Sequence, residues 1–310
     1  MDSLVLNSLA NTFVPQVAAD WLSAFCEKTG QAWGPNGSEK LFWYRSPKVH
    51  IFEFLVLHLF VFFCFRASRG YFTNITKYEG RGEVSRGRST KGRLNKLLGI
   101  IFLFLWVLQL IFKALRPTPF VQMGWLLMPC HLITLIWAFV LLRQKESEYA
   151  LNVYLATLAA DYHWGPAAAS LVPDFGDHQY RIESYFFVFH HGLLLIMPFY
   201  FSARYELLPM NLKHLLHVTA VAVVVNICLY TLISYISGLN VNYMLYPPPK
   251  LWGVFPFTSK AYRFYIIAIL MGCTVVFHVI ISKSGDIIKW ILSRGRKRNG
   301  LHLKRSAKRH

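Results

Sequence analysis

A cysteine and a histidine stand next to each other in a long apolar segment, in the run Pro129-Cys130-His131. The cysteine thiolate is a nucleophile, and in an apolar setting its formation needs a nearby base or cation. A neutral histidine can take the thiol proton and return it later, and a carboxylate can orient that histidine. His191 and His163 are candidate bases, and Asp161 is a candidate orienting carboxylate. These residue types predict nucleophilic catalysis by Cys130.

The predicted depth of these side chains in a membrane brings them together. Counted along straight helices at about 1.5 Å per residue, Cys130 lies roughly 13 Å and His191 roughly 10 Å below one membrane surface. Asp161 and His163 lie about 13–16 Å below the same surface by the same count. A membrane cysteine is more often a packing residue, and a membrane histidine can simply bridge two helices, so the shared depth is the argument for a site. The choice of base stays open among His191, His190, His131 and His163.

Seven apolar segments position these residues. Each is long enough, or nearly so, to cross about 30 Å of hydrocarbon as a helix. The fourth contains Asp161, His163 and Pro166, which are costly in lipid unless they face the interior of a bundle. Pro129 interrupts the third and predicts a kink beside Cys130. The fold is therefore predicted to be all-α, a polytopic membrane helical bundle of about seven transmembrane helices. The segments are 49–65, 97–115, 121–142, 149–172, 184–202, 214–237 and 262–281.

Composition and charge agree with a membrane protein. The chain is 55% hydrophobic and 15% charged, too few charges for an ordinary soluble domain of this length. Its formal net charge is +18, with basic residues concentrated in 66–96 and after Lys289. Basic clusters beside apolar segments favour the cytoplasmic side, which predicts a lumenal N-terminus and a cytoplasmic C-terminus. Lys250, Lys260 and Arg263 are the exceptions. No nucleic-acid-binding motif accompanies the charge, so nucleic acid is not predicted as a partner.

The same pattern divides the chain into three parts. Residues 1–48 form a predicted lumenal segment, residues 49–281 the transmembrane domain with a basic cytoplasmic loop at 66–96, and residues 282–310 a basic cytoplasmic tail. Glycosylation sequons begin at Asn36, on the predicted lumenal side, and at Asn74, on the predicted cytoplasmic side. Only Asn36 is therefore expected to carry a glycan.

Other polar residues have more than one interpretation. Lys113 ends the second segment, where it can extend to the lipid headgroups or hold a lipid phosphate. Asn240 and Asn242 follow the sixth segment and either cap the helix or bind substrate. His278 is predicted to be a core residue, and His214 to be solvated at the cytoplasmic surface. The five cysteines show no metal-ligand spacing, so neither a metal nor another cofactor is predicted.

Three sequence blocks resemble the transmembrane protein 164 family. That family's L-x-N-P-C-H-L-V-T block is similar to Leu126-Leu127-Met128-Pro129-Cys130-His131-Leu132-Ile133-Thr134. Two later blocks resemble the helix from Glu183 through His191 to Pro198 and the run Asn240-Val241-Asn242-Tyr243-Met244-Leu245-Tyr246-Pro247. Order and approximate spacing agree over about residues 97–280. Met128 replaces the family's asparagine and Gln109 stands where a glutamate is expected, whereas Cys130 and His191 are kept.

The resemblance implies a multi-pass enzyme of the endoplasmic reticulum membrane. It implies an acyltransferase that moves polyunsaturated acyl chains, arachidonoyl above all, from phosphatidylcholine onto lyso-ether phospholipids. Membrane phospholipids and lyso-phospholipids are then the partners, and Cys130 is the implied catalytic cysteine. Our hypothesis adds His191 as base and then acid. One alternative is a lipid hydrolase that uses the same residues with water as the acceptor. Another is a proton-coupled transporter with Asp161, His163 and His191 along its path, although the sequence has no internal repeat. Oligomeric state is not predicted.

Overall fold

Helices form all of the regular secondary structure in the described part of the chain. The computed structural model describes residues 3–29, 46–71, 88–143, 149–173, 175, 178–205, 207–237, 239–243, 251, 253–259 and 261–307 of the 310-residue chain. No strand occurs within these ranges, which confirms the predicted all-α fold. Both sequons, Lys250, Lys260 and the middle of the basic loop lie outside the described residues.

The helices follow the predicted apolar segments with shifted ends. Short 3₁₀ turns occur at Met123–Leu127 and Val241–Tyr243, and a π-helical segment occurs at Val224–Tyr230. In chain order the α-helices are α1 (Ser3–Phe13), α2 (Gln16–Thr29), α3 (Pro47–Ala67), α4 (Arg88–Ala114), α5 (Pro119–Gln122), α6 (Pro129–Leu142), α7 (Tyr149–Asp161), α8 (Trp164–Leu171), α9 (Arg181–Ser202), α10 (Leu212–Val223), α11 (Thr231–Ser237) and α12 (Tyr262–Ala307). The last helix has 46 residues and continues through most of the predicted basic tail.

Four helices within the described residues are long and apolar enough to cross a membrane. They are α3, α4 from Gly92 onward, α9, and α12 as far as Arg294. The pair Pro119–Leu127 and Pro129–Leu142 makes a fifth if it is counted as one bent span. The chain is therefore a multi-pass helical membrane protein, whereas seven spans and the orientation of the termini stay predictions.

The third apolar segment is broken at Met128 and is not one kinked helix. The segment before Met128 and α6 after it differ in direction by 67°. Met128 is extended, with φ −56° and ψ 147°, because the ring of a proline disfavours the helical conformation for the residue before it. Pro129 then begins α6, where its fixed φ suits the first helical position. Cys130 is therefore the second residue of a helix, not a residue in the middle of a span.

The fourth predicted segment is also interrupted. Helix α7 ends at Asp161 and α8 begins at Trp164, so His163 lies in the break between them. Pro166 follows in the first turn of α8, where its missing N–H removes no hydrogen bond of the helix. Asp161 and His163 are thus attached to two different helices, and a count along one straight helix does not give their relative depth.

The core of the bundle surrounds Trp137 of α6, which is completely buried. Phe102 of α4, Ala156 of α7 and Leu194 of α9 belong to the same apolar cluster, and Cys130 packs against it. The core therefore fixes α6 between the helices that carry the candidate bases.

A close contact joins α12 to α9 at Gly285. A Cβ added to Gly285 would lie 2.6 Å from Ser202 Oγ and 2.8 Å from the Ser202 carbonyl carbon. Ser202 Oγ also donates to the carbonyl of Ile281, at 3.1 Å. The bare glycine lets the two helices approach at this point.

An ion pair between Arg263 and Glu53 joins the start of α12 to α3. Arg263 Nη1 lies 3.0 Å from Glu53 Oε2, and both side chains are buried. Arg263 was an exception to the predicted charge asymmetry of the loops. Because it is paired inside the bundle, it is not a loop charge.

Candidate active site

Cys130 lies at the N-terminal end of α6 and is partly buried. The backbone N–H groups of a first helical turn have no partners within the helix, and the helix dipole is positive at that end. Both effects favour negative charge, which is why reactive cysteines are found at helix N-termini. The break at Met128 places Cys130 at this helix end, where the N–H groups of His131 and Leu132 donate to the Met128 carbonyl at 2.9 Å and 3.1 Å.

A hydroxyl connects Cys130 to a row of three buried histidines. Thr134 Oγ1 donates to the backbone carbonyl of Cys130 at 2.7 Å. The same oxygen lies 2.5 Å from Nε2 of His190, which donates to it. The His190 ring is stacked on His131, with centroids 5.7 Å apart, and its centroid is 5.3 Å from that of His191. Helices α6 and α9 thus bring together three of the four histidines considered from the sequence.

The tautomer of His191 follows from its backbone contact. Its Nδ1 lies 2.9 Å from the carbonyl of Phe187, which can only accept, so Nδ1 carries the proton and Nε2 carries a lone pair. That Nε2 is buried and has no hydrogen-bond partner among the described residues. The Phe187 ring is stacked on the imidazole at 3.9 Å and restricts its rotation. His191 therefore has the form that a general base requires.

Tyr230 lies near Cys130, although no sequence pattern indicated it. It ends the π-helical segment and is completely buried with Leu239 and Val241, and Met128 packs against this cluster. Its hydroxyl is close enough to Cys130 for a charge on the sulfur to affect it, but it is not hydrogen-bonded to the thiol or to any other group in the described ranges. A buried hydroxyl without a partner beside a candidate nucleophile is an available donor for negative charge that develops there.

The segment with Asn240 and Asn242 covers the break before α6. Asn240 is buried, and the backbone N–H of Asn242 lies 3.3 Å from Sδ of Met128. The next turn is tight: Asn242 and Tyr243 have φ of 48° and 60°, in the left-handed region that asparagine tolerates better than most residues. Because Met128 is two residues before Cys130 in the chain, this contact places the Asn240–Asn242 segment near the candidate nucleophile.

Lys113 and Arg116 are packed inside the protein, each 4% exposed. Nζ of Lys113 lies 5.9 Å from the ring centroid of Trp125, in the 3₁₀ turn before the break. Arg116 forms a buried ion pair with Glu183, at the start of α9. It also donates to Gln122 Oε1 at 3.2 Å. Lys113 therefore lies beside the turn that leads to Cys130, whereas the charge of Arg116 is balanced by Glu183.

A mostly apolar cavity of about 280 Å³ adjoins the same turn. This volume is close to the lower end of the range for ligand pockets, about 300–1,000 Å³. Leu127, immediately before the break, is one of its walls, and α11 forms the opposite side. The lining residues are Phe120, Val121, Met123, Gly124, Leu127, Ile233, Ile236 and Ser237.

Asp161 contacts two histidines that were not assigned to the site. Its Oδ2 lies 2.6 Å from Nε2 of His214, and its Oδ1 lies 2.7 Å from Nδ1 of His278. The hydroxyl of Tyr71 bonds the other nitrogen of His214. We call Asp161, His214 and His278 the Asp161 cluster. Burial, and after it the charge of Asp161, raises the pKa of Tyr71 above its ordinary value.

The expectation that His214 is solvated is wrong, because this residue is 1% exposed. It lies in the first turn of α10, where its backbone N–H donates to Oδ1 of the capping residue Asn211 at 3.0 Å. Leu212 and Lys213 of the same turn are exposed, whereas the His214 side chain faces inward and contacts Asp161 at the end of α7.

His163 occupies a third environment, between α9 and α12. Its ring centroid lies 5.7 Å from that of Phe199 and 5.3 Å from that of Phe277. Its Nδ1 is buried with no hydrogen-bond partner among the described residues. The four side chains that straight helices would place in one layer thus belong to separate groups: Cys130 and His191 in one, Asp161 in another.

The family profile of the TMEM164 family matches residues 44–281 of this chain. The chain belongs to the TMEM164 family. A protein described as "Transmembrane protein 164 homolog" from Dictyostelium discoideum is 29% identical over 235 residues, which cover 74% of this chain and 81% of that protein. No solved structure matches. The resemblance indicated by the Pro129-Cys130-His131 block is therefore confirmed.

The region matched by the TMEM164 family holds both groups of polar side chains. It includes the Cys130–His191 row and the Asp161 cluster, together with Tyr71. Thr134, Tyr230, His214 and His278 are the residues of these groups that the sequence alone did not select. Thr134 lies one turn after Cys130 on α6, a spacing that could have indicated it. Tyr230, His214 and His278 come from segments far apart in the chain, and only helix packing brings them to the sites.

Proposed function

We propose that this TMEM164-family protein is a membrane acyltransferase with Cys130 as its nucleophile. It would move a fatty acyl chain, polyunsaturated by resemblance to the family, from phosphatidylcholine to a lyso-ether phospholipid in the endoplasmic reticulum membrane. The observation that carries the proposal is a cysteine at a helix N-terminus whose backbone carbonyl is connected through Thr134 to a row of buried histidines. The last histidine of that row, His191, presents a lone pair on Nε2.

In the first half-reaction the acyl chain passes to the enzyme. Nε2 of His191 and the Cys130 thiol are not hydrogen-bonded in this structure, so the bound donor would have to bring them within reach of each other. Nε2 would then take the thiol proton, and the thiolate would attack the ester carbonyl of the donor phospholipid. A C–S bond forms and the C–O ester bond breaks. The departing lyso-phospholipid takes the proton from His191, which leaves the acyl chain on Cys130 as a thioester.

The second half-reaction regenerates the thiol. The hydroxyl of the lyso-ether phospholipid gives its proton to His191 while its oxygen attacks the thioester carbonyl. A new C–O ester bond forms, the C–S bond breaks, and the sulfur recovers a proton from His191. Because the thioester conserves the acyl energy, no diffusible activated donor is needed.

Other groups near Cys130 fit supporting roles in this reaction. The Tyr230 hydroxyl would donate to the oxyanion that forms in each half-reaction. Lys113 would attract the phosphate of a lipid headgroup, and Asn240 and Asn242 would line the approach to Cys130. The apolar cavity beside Leu127 would take part of an acyl chain. A seven-span topology with a lumenal N-terminus would let substrate enter from the lumenal leaflet.

The experiment that tests the proposal uses the purified full-length protein in lipid nanodiscs. The donor is phosphatidylcholine labelled in its acyl chain, and the acceptor is a lyso-ether phospholipid. Cys130→Ala is expected to abolish transfer, whereas the control Cys273→Ala, on α12, should keep it. His191→Gln should lower the rate by about 10²–10⁴-fold, the usual contribution of a general base. Label retained on the protein and released by neutral hydroxylamine identifies the thioester.

The outcomes separate the proposal from its alternatives. Full transfer by Cys130→Ala would exclude Cys130 as the nucleophile. Free fatty acid as the main product, with acceptor in excess, would support a lipid hydrolase. Proton-coupled uptake into vesicles that survives Cys130→Ser would support a transporter.

A further inference from the structure

The Asp161 cluster collects a carboxylate and two imidazoles from three helices in the interior of the bundle. Asp161 ends α7, His214 lies in the first turn of α10, and His278 lies within α12. All three side chains are buried, and one potential ligand atom from each lies within 4.8 Å of the other two. We propose that the cluster binds one divalent transition-metal cation, zinc in the first instance.

The charge of the cluster favours a cation. A buried carboxylate loses its hydration, and the effective cost is several kcal/mol unless an opposite charge is close. Asp161 is completely buried, and its described hydrogen-bond partners are the two imidazoles. Two neutral imidazoles supply hydrogen bonds without charge, whereas a divalent cation supplies the charge and uses the imidazole lone pairs as ligands.

The ligand set and its spacing fit zinc. Two histidine nitrogens and one carboxylate oxygen are a recurrent set of three protein ligands for this ion. With bonds of about 2.0–2.2 Å, neighbouring ligand atoms of a tetrahedral site lie roughly 3.3 Å apart. The present contacts of 2.6 Å and 2.7 Å, which are made to the two different oxygens of Asp161, would open by about 0.6–0.7 Å, and the widest separation, within 4.8 Å, would close by up to about 1.5 Å. Side-chain rotation alone can provide a movement of that size.

Tyr71 supplies the outer contact that metal-binding histidines usually make. A histidine that binds a metal through one nitrogen normally donates its other N–H to a neighbouring oxygen, which fixes the tautomer and the ring orientation. The Tyr71 hydroxyl bonds Nδ1 of His214, while Nε2 of the same ring faces Asp161. With metal on Nε2, Nδ1–H donates to the Tyr71 oxygen, and the site extends to the segment after α3.

The position of the cluster indicates what the cation would do. Its ligands come from α7, α10 and α12, whereas Cys130 and the histidine row are on α6 and α9. The cation would cross-link three helices of the bundle, so its removal should loosen the fold. This role does not depend on the proposed acyl transfer.

Metal content of the full-length protein tests the proposal. The protein is purified in detergent with an affinity tag free of histidine, stripped with a chelator, incubated with zinc and analysed by mass spectrometry of the metal. Wild type should hold about one zinc ion per chain, and Asp161→Asn and His278→Gln should hold far less. Tyr71→Phe should weaken zinc affinity by about 10–100-fold, the usual effect of losing an outer contact.

His217→Gln is the matched control. His217 lies one turn after His214 on α10, where its Nε2 contacts Tyr154 at 3.0 Å and its ring packs against Tyr71 with centroids 5.1 Å apart, but it makes no hydrogen bond to Asp161. It should bind zinc like wild type. Cobalt in place of zinc gives a visible absorption band in wild type and His217→Gln, which reports coordination by the protein directly.

Defined results would overturn the proposal. Wild-type protein that is folded by size-exclusion chromatography and takes up no zinc, cobalt or iron(II) has a cluster held by hydrogen bonds alone. If Asp161→Asn and His278→Gln retain as much metal as wild type, the metal is bound outside the Asp161 cluster. If these two variants fail to fold, the wild-type stoichiometry and the affinity of Tyr71→Phe decide, since the latter removes one oxygen and no ligand.

Discussion

Replacing Tyr230 by phenylalanine should separate catalysis from stability. The substitution removes one oxygen and keeps the ring that packs with Leu239 and Val241. The Tyr230 hydroxyl is buried and has no hydrogen-bond partner among the described residues. A buried polar group in this state costs about 1–3 kcal/mol relative to an apolar one. Tyr230→Phe is therefore expected to leave the free energy of unfolding unchanged or to raise it by up to about that amount.

The expected effect on the reaction is opposite. If the hydroxyl donates to the oxyanion that forms when Cys130 attacks the ester carbonyl, its loss should lower kcat by about 10²–10³-fold, as for other single donors of this kind. KM should change little, because the donor acts on charge that the ground state lacks. The assay measures steady-state transfer of label from phosphatidylcholine to the lyso-ether acceptor at several donor concentrations, and chemical denaturation in detergent measures stability.

Tyr200→Phe is the matched control for Tyr230→Phe. The Tyr200 hydroxyl donates to Oδ1 of the buried Asn95 at 2.5 Å, so its loss should destabilise the protein by about 1–3 kcal/mol with the rate of transfer unchanged. Wild-type kcat in Tyr230→Phe would refute the donor role. A loss of stability equal to that of Tyr200→Phe would refute the reasoning that the Tyr230 hydroxyl has no partner.

Three further predictions concern packing, charge and topology. Gly285→Ala places a methyl group against α9 and should cost about 1–3 kcal/mol, whereas Gly272→Ala, with no atom within 4 Å of the added Cβ, should stabilise α12 by about 0.5–1 kcal/mol. Equal effects in denaturation would contradict this contact. Glu183→Gln removes one charge of a buried ion pair and should cost about 3–5 kcal/mol in the same assay, and a change below about 1 kcal/mol would mean that this pair contributes little to stability. In microsomes, a glycan on Asn36 alone supports the predicted topology, and a glycan on Asn74 alone reverses it.

The helical fold and the family could be predicted because both depend on local signals. A helix that crosses lipid needs a long apolar run, and such runs predict α3, α4, α9 and α12. Most of the predicted helix ends lie within a few residues of the observed ones; the start of α4 and the end of α12 are the exceptions. The Pro129-Cys130-His131 run is short and specific enough to indicate the family. Neither signal requires knowledge of how the helices pack.

The arrangement of the candidate sites could not be predicted in the same way. Depth was counted along straight helices, but Met128 breaks one segment and the residues after Asp161 break another. The direction in which a side chain points around its helix depends on the packed partners, which periodicity does not specify. Asp161 therefore meets His214 and His278 and not His191, and no spacing in the sequence links these three residues.

Helix α12 extends far on both sides of its contact with α9 at Gly285. At about 1.5 Å per residue its 46 residues extend roughly 69 Å, more than twice the thickness of the hydrocarbon core. Its tight contact with α9 at Gly285 serves as a pivot, with His278 about 10 Å on one side and Ala307 about 33 Å on the other. For a rigid helix, a lateral movement of roughly 3 Å at the far end displaces His278 by about 1 Å. If α12 moves as a rigid body about Gly285, a displacement of the basic tail would reach the Asp161 cluster reduced about threefold.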